Sequence, residues 1–227
     1  MSAAPVGFAT LAFAFVAIPA SAMLSPPTRT HTILRVGNDS VAFAAWLKAD
    51  KQRPKVFAAF ALYLREKSVG DVVPIWELAR ADVNNVARCG GQAFVMPPRN
   101  LWHNLVPALR IVKAHVIPAV GDVEVRSVFR APSLNICASG APHSRHLSFS
   151  AVDLVATYQP NARTTFSKLC TAWRIAGPRS GWGLGAYFDP ARPTVNADGR
   201  FHVDATGWRS WGFSKHAASS GCILLKH

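Results

Sequence analysis

The sequence predicts an α+β fold: a small, mainly antiparallel sheet flanked by helices, with a helical N-terminal region. Three observations lead there. Apolar residues recur at helical spacing through residues 41–90 and again after Asn100. Short segments alternating in period two follow, at 123–129, 151–155 and 201–204. Half of the 227 residues are hydrophobic, enough to cover both kinds of element with a core.

In chain order, "SPPTRT" at 25–30 is a lead-in segment rich in turn formers. "KVFAAFALYLREK" places Val56, Phe60, Leu62 and Leu64 among alanines and reads as a helix. "VPIWELARADVNNVARCGG" begins at a proline, spaces Ile75, Leu78, Val83 and Val86 helically and stops at Gly90-Gly91, so it reads as one further helix. Asn100 is a cap for the next helix, whose stripe is Leu101, Leu105, Leu109 and Val112, with Pro107 as a kink. "VEVRSVF" (123–129) is a strand, "RAPSLN" a turn, and 151–155 a second strand. "TTFSKLCTAWRIAG" is a helix closed by Gly177. "GPRSGWGLGAYF" is a glycine-rich loop running into a short strand. It lacks Walker spacing, so phosphate binding is not expected. "GRFHVDATG" is the last strand, closed by "WRSWG".

Charge and targeting narrow the setting. Lys plus Arg total 25 against 12 Asp plus Glu, a formal charge of +13, which favours adsorption to anionic surfaces such as a cell envelope. The basic residues form no dense run, and no recognition helix or RNA-binding motif is present, so nucleic acid is not an expected partner. Residues 1–22 carry no charged side chain and end in Ala20-Ser21-Ala22, the pattern of a cleaved secretory signal. The expected location is therefore secreted or periplasmic. Cys89, Cys137, Cys170 and Cys222 form no C-x-x-C pair, and an even count behind a signal points to two disulfides. Sequence leaves three pairings open; Cys89 with Cys137 and Cys170 with Cys222 is the one carried forward as the expectation.

The chemistry concentrates on two strands. Period two puts His202 and Asp204 on one face of their strand and Phe201 and Val203 on the other. Asp153 likewise faces away from Val152 and Leu154. An isolated buried carboxylate costs several kcal/mol, and a divalent cation removes that cost. With His146 seven residues before Asp153, two imidazoles and one carboxylate form a donor set that suits Zn²⁺ with a fourth position open.

These residues carry a resemblance. "SRHLSFSAVDL" resembles the S-x-H-x(6)-D motif of the zinc D-Ala-D-Ala carboxypeptidase-like peptidases, a group that includes murein endopeptidases and shares its fold with the hedgehog signalling domain. "RFHVDATGWRSWG" is similar to its second motif, "VRSVFRAPSLN" to its approach strand, and "GWGLGAYF" to its glycine-rich lead, together covering residues 121–212 in order. The resemblance implies His146, Asp153 and His202 as zinc ligands. It also implies Arg130 as the group that holds a substrate carboxylate or polarises the scissile carbonyl, and Ser144 as a substrate-loop residue. With the signal segment and the helical pattern read above, the chain is expected to divide into a signal peptide (1–22), a helical N-terminal region (23–90) and a zinc peptidase-like catalytic domain (91–227). The sequence also departs from the pattern. Gly199 stands where relatives carry the acidic general base, so Asp204 is expected in that role, with Asp198 as the alternative. Phe149 replaces a glycine and Phe201 a valine.

The implied activity is zinc-dependent hydrolysis of peptide bonds in peptidoglycan stem peptides or cross-links. The missing acid before His202 keeps a second reading open, a zinc-containing module that binds wall peptides or a protein without cutting. His31, His216 and His227 are not expected as ligands, and Trp208 and Trp211 are expected in the core or lining a groove.

Overall fold

A computed structural model describes Met1, residues 37–159 and residues 161–225. Residues 2–22 of the expected signal segment, the lead-in at 25–30, His31 and His227 lie outside the described residues. The fold is α+β. Helices α1 (Ser40–Lys48) and α2 (Arg53–Glu66) open it. Asp39 caps α1 by accepting from the Ala42 amide at 2.7 Å.

The segment expected as one helix from Pro74 to Cys89 is two. A 3₁₀ turn at Ile75–Ala79 ends at extended Arg80, and helix α3 (Val83–Cys89) restarts behind Asp82. The break has a local cause: Asp82 accepts from the Asn85 amide at 2.9 Å, starting a new helix where a continuous one would place a carboxylate mid-turn. Helix α4 (Trp102–Ile111) follows a 3₁₀ turn at Arg99–Leu101. Leu101, not Asn100, occupies its cap position and makes no side-chain cap bond. Pro107 lies inside α4, and a π turn at Val112–Val116 leads into α5 (Ile117–Val120). Strand β1 covers Val123–Ser127, and the expected "RAPSLN" turn is instead the start of a short helix α6 (Pro132–Cys137), for which Pro132 sits at the favourable first position.

Strand β2 (Ala151–Ala156), helix α7 (Ala162–Ala176), and strands β3 (Gly183–Gly185), β4 (Phe201–Asp204) and β5 (Arg209–Trp211) complete the sheet, with α8 (Gly221–Leu224) behind it. Strand β4 is thus not the last; "WRSW" supplies an edge strand. The order is β1-β2-β4-β3-β5, antiparallel except for the parallel β3–β5 pair.

Register builds two faces. Val152 lies opposite Val203 and Leu154 opposite Phe201, all fully buried in a core shared with Leu105, Leu109, Phe166 and Leu169 of the helices. Each such side chain contributes about 1.5–3 kcal/mol by leaving water. Phe60 and Leu64 of α2 belong to the same core, so the helical N-terminal region packs on the sheet domain rather than beside it. On the other face, Asp153 lies opposite His202. A bulge at Arg126 in β1 brings Ser127 beside Asp153, the kind of local re-aiming seen next to sites.

Disulfides join Cys89 to Cys137 and Cys170 to Cys222, as expected. They point to an oxidising, extracytoplasmic environment. No helix among the described residues is long and apolar enough to cross a membrane.

Candidate metal centre

His146, Asp153 and His202 come together, each almost fully buried. His146 Nε2 lies 3.1 Å from His202 Nδ1 and 3.2 Å from Asp153 Oδ1, and His202 Nδ1 lies 3.0 Å from Asp153 Oδ1. A tetrahedral zinc with bonds of about 2.0–2.1 Å holds its ligand atoms about 3.3 Å apart. The three donors therefore form a triangle of nearly the required size.

The opposite edge of each ring fixes where its lone pair points. His146 Nδ1 donates to the Val128 carbonyl at 2.6 Å, leaving Nε2 as the acceptor. The backbone carbonyl of His146 accepts from the Arg130 amide at 3.1 Å, so residues 128–130 grip this residue twice. His202 Nε2 donates to Asp204 Oδ2 at 3.2 Å, leaving Nδ1 as the acceptor. Two ring lone pairs and a carboxylate oxygen thus converge on one point. Such a set requires a cation or a proton between its members.

Electrostatics agree with that geometry. Burial pushes the His146 imidazole toward its neutral, ligating form, only partly offset by Asp153. Burial opposes charge on His202, yet hydrogen bonds to Asp153 and Asp204 raise its pKa. Burial would raise the Asp153 carboxyl, but Arg200 and the two imidazoles hold it well below the usual carboxylate range. Asp204 is held down in the same way, by His202 and Arg209 against its burial.

Glycines make room for this arrangement. A Cβ on Gly185 would come within 2.7 Å of His202 Cβ, and one on Gly183 within 2.5 Å of Asp204 Oδ1. The "GWGLG" stretch therefore serves the sheet face and not a phosphate. Phe149, in the glycine position of the histidine loop, takes φ 55° and is fully buried against Phe60 and Phe129.

The centre opens into a groove of about 910 Å³. Arg130 and Ser144 line it. Arg130 Nη1 reaches Asn135 Oδ1 at 3.4 Å, and its Nε is buried with no hydrogen-bond partner among the described residues. Asp204 lies across the His202 ring from the point where the donors converge. Its Oδ1 accepts from the Thr206 amide and hydroxyl and from Arg209 Nη1, and its Oδ2 from His202 and Arg209 Nη2. Asp198 is exposed and lines a separate cavity beyond Arg200. Trp211 lines the groove with its ring against His202, whereas Trp208 stacks on Trp173; exposed His216 sits at the groove.

Sequence reasoning missed Arg200, Asp82, Arg209 and Tyr187. Arg200 bridges Asp153 Oδ2 and Asp82 Oδ2, and Arg209 clamps Asp204. Tyr187 lines the groove and accepts from Trp211 Nε1 at 3.3 Å, with burial pushing its phenol up and keeping it neutral. The available signal was an Asp–x–x–Asn cap at Asp82; Arg200 carried none.

The chain matches no family model, no curated protein and no solved structure.

Proposed function

We propose that the chain is a secreted or periplasmic zinc peptidase resembling the D-Ala-D-Ala carboxypeptidase-like group, acting on peptidoglycan stem peptides or cross-links. The observation that carries this reading is the convergence of His146 Nε2, Asp153 Oδ1 and His202 Nδ1, each imidazole held in its ligating tautomer from behind. Bound there, zinc would supply Lewis acidity toward a peptide carbonyl and an acidified water. The protein's own groups do the rest. Arg130 lines the groove with a permanently charged guanidinium, suited to a substrate carboxylate or a developing oxyanion. Ser144 lines the same groove. Asp204 holds His202 in place, and serving as a general base would require it to release Arg209.

That last point favours a second reading, a zinc-containing module that binds wall peptides or a protein without cutting. The carboxylates lining the groove are Asp82, Asp153 and Asp204, and each is already paired. Incubating the purified chain with muropeptides, with and without chelator, decides between them. Chelator-sensitive release of D-alanine or of cleaved cross-links supports the peptidase. Binding without cleavage at full zinc content supports the module.

A further inference from the structure

The two oxygens of Asp153 meet different partners. Oδ1 faces both imidazoles, while Oδ2 is taken by Arg200. Arg200 is in turn held by Asp82 Oδ2, and Asp82 Oδ1 is the N-cap of α3. Helix α3 ends at Cys89, which is disulfide-bonded to Cys137 of α6 beside the groove. Asn196 Nδ2 donates to the Arg200 carbonyl at 2.8 Å, fixing its backbone. A chain of contacts therefore runs from the N-terminal helical region to one oxygen of one metal-ligand candidate. Asp82 and Asp153 are both 5% exposed or less, so two buried carboxylates share a single guanidinium. A planar guanidinium can serve both at fixed angles; a lysine amine is a point charge.

Resting on the metal-centre reading above, we propose that Arg200 and Asp82 are positioning residues for the metal. Arg200 occupies Asp153 Oδ2, so that Asp153 offers the ion one oxygen, Oδ1, and Asp82 fixes Arg200 for that task. The helical N-terminal region is then a working part of the centre and not only a cover for its core.

The test uses the full chain as wild type, Arg200→Lys, Asp82→Asn and the double variant. Zinc affinity is read by competition with a chelator, and cobalt(II) replaces zinc for visible spectroscopy, which reports coordination number. Melting of the metal-free proteins checks folding. Arg200→Lys keeps the charge and removes only the fork, so it separates positioning from simple neutralisation. Each single variant is expected to lose about 10- to 100-fold in zinc affinity, the range for outer partners of metal ligands. The cobalt spectrum is expected to shift toward higher coordination as Asp153 gains a second free oxygen. The double variant falls no further than the weaker single one, because both residues act through the same oxygen. Zinc affinity within twofold of wild type and an unchanged cobalt spectrum in folded Arg200→Lys overturn the positioning role, whatever Asp82→Asn does. A wild type that takes up neither metal overturns the metal-centre reading and this proposal together.

Discussion

Replacing Asp204 by asparagine is expected to reverse the tautomer of His202. Asp204 accepts five hydrogen bonds, three at Oδ1 (Thr206 amide, 2.9 Å; Thr206 hydroxyl, 2.7 Å; Arg209 Nη1, 3.0 Å) and two at Oδ2 (His202 Nε2, 3.2 Å; Arg209 Nη2, 2.7 Å). An amide has one oxygen. Keeping it at the Oδ1 position satisfies the larger group and sets the amide N–H₂ against His202 Nε2–H. The ring relieves that clash by moving its proton to Nδ1, the atom that faces His146 and Asp153. A metal must then displace that proton. The expected loss of zinc affinity is about 10- to 100-fold, or about 1.4–2.7 kcal/mol. Chelator competition measures the affinity, and nitrogen-15 NMR of the imidazoles reads the tautomer of the metal-free protein. Zinc affinity within twofold of wild type, with the proton still on Nε2, would refute the assignment of Asp204 to His202. Full zinc affinity with lost turnover would instead return Asp204 to proton transfer.

Other consequences follow from packing and charge. In Gly185→Ala the new Cβ meets His202 Cβ and Tyr187 Oη at 2.7 Å, so melting temperature and zinc affinity should fall together, by about 1–3 kcal/mol of overpacking; an unchanged affinity contradicts the fit of the β3 glycines. Truncating buried Phe149 should cost about 3–5 kcal/mol. Its φ of 55° makes glycine the better replacement, with Phe149→Gly about 1 kcal/mol more stable than Phe149→Ala in urea unfolding; the reverse order rules out backbone strain there. Asp82, Asp153 and Asp204 all have folded pKa values below their unfolded ones. Their stabilisation is complete above the unfolded value of about 4 and is lost as pH falls through the folded values. His146 and His202 shift in opposite directions and oppose each other nearer neutrality. Urea melts of metal-free protein should therefore show a steep loss of stability below about pH 4, and a flat profile there would contradict the buried pairs.

The donor triangle was legible because its signals are local. His146 stands seven positions before Asp153, and period two fixes which face of β4 carries His202 and Asp204. Strands β1 to β4 and α7 were legible for the same reason, with Gly177 closing α7 as cap chemistry requires. What surrounds the triangle was not. Arg200 and Asp82 are 118 residues apart, and no periodicity joins them. Reading residues 74–91 as one helix also hid Asp82, since a mid-helix aspartate is expected to face solvent. Asp204 looked available to the groove because alternation gives a face but not the partners on it; Arg209 comes from β5, a three-residue edge strand too short to announce itself.

The most direct test of the metal centre is zinc K-edge absorption of the purified full-length protein, with metal analysis on the same sample. One zinc per chain is expected, with two imidazole nitrogens and a carboxylate oxygen at about 2.0–2.1 Å. No sulfur should appear, because all four cysteines are in disulfides. A protein without stoichiometric metal, or a zinc shell lacking two imidazoles, would contradict the site built from His146, Asp153 and His202.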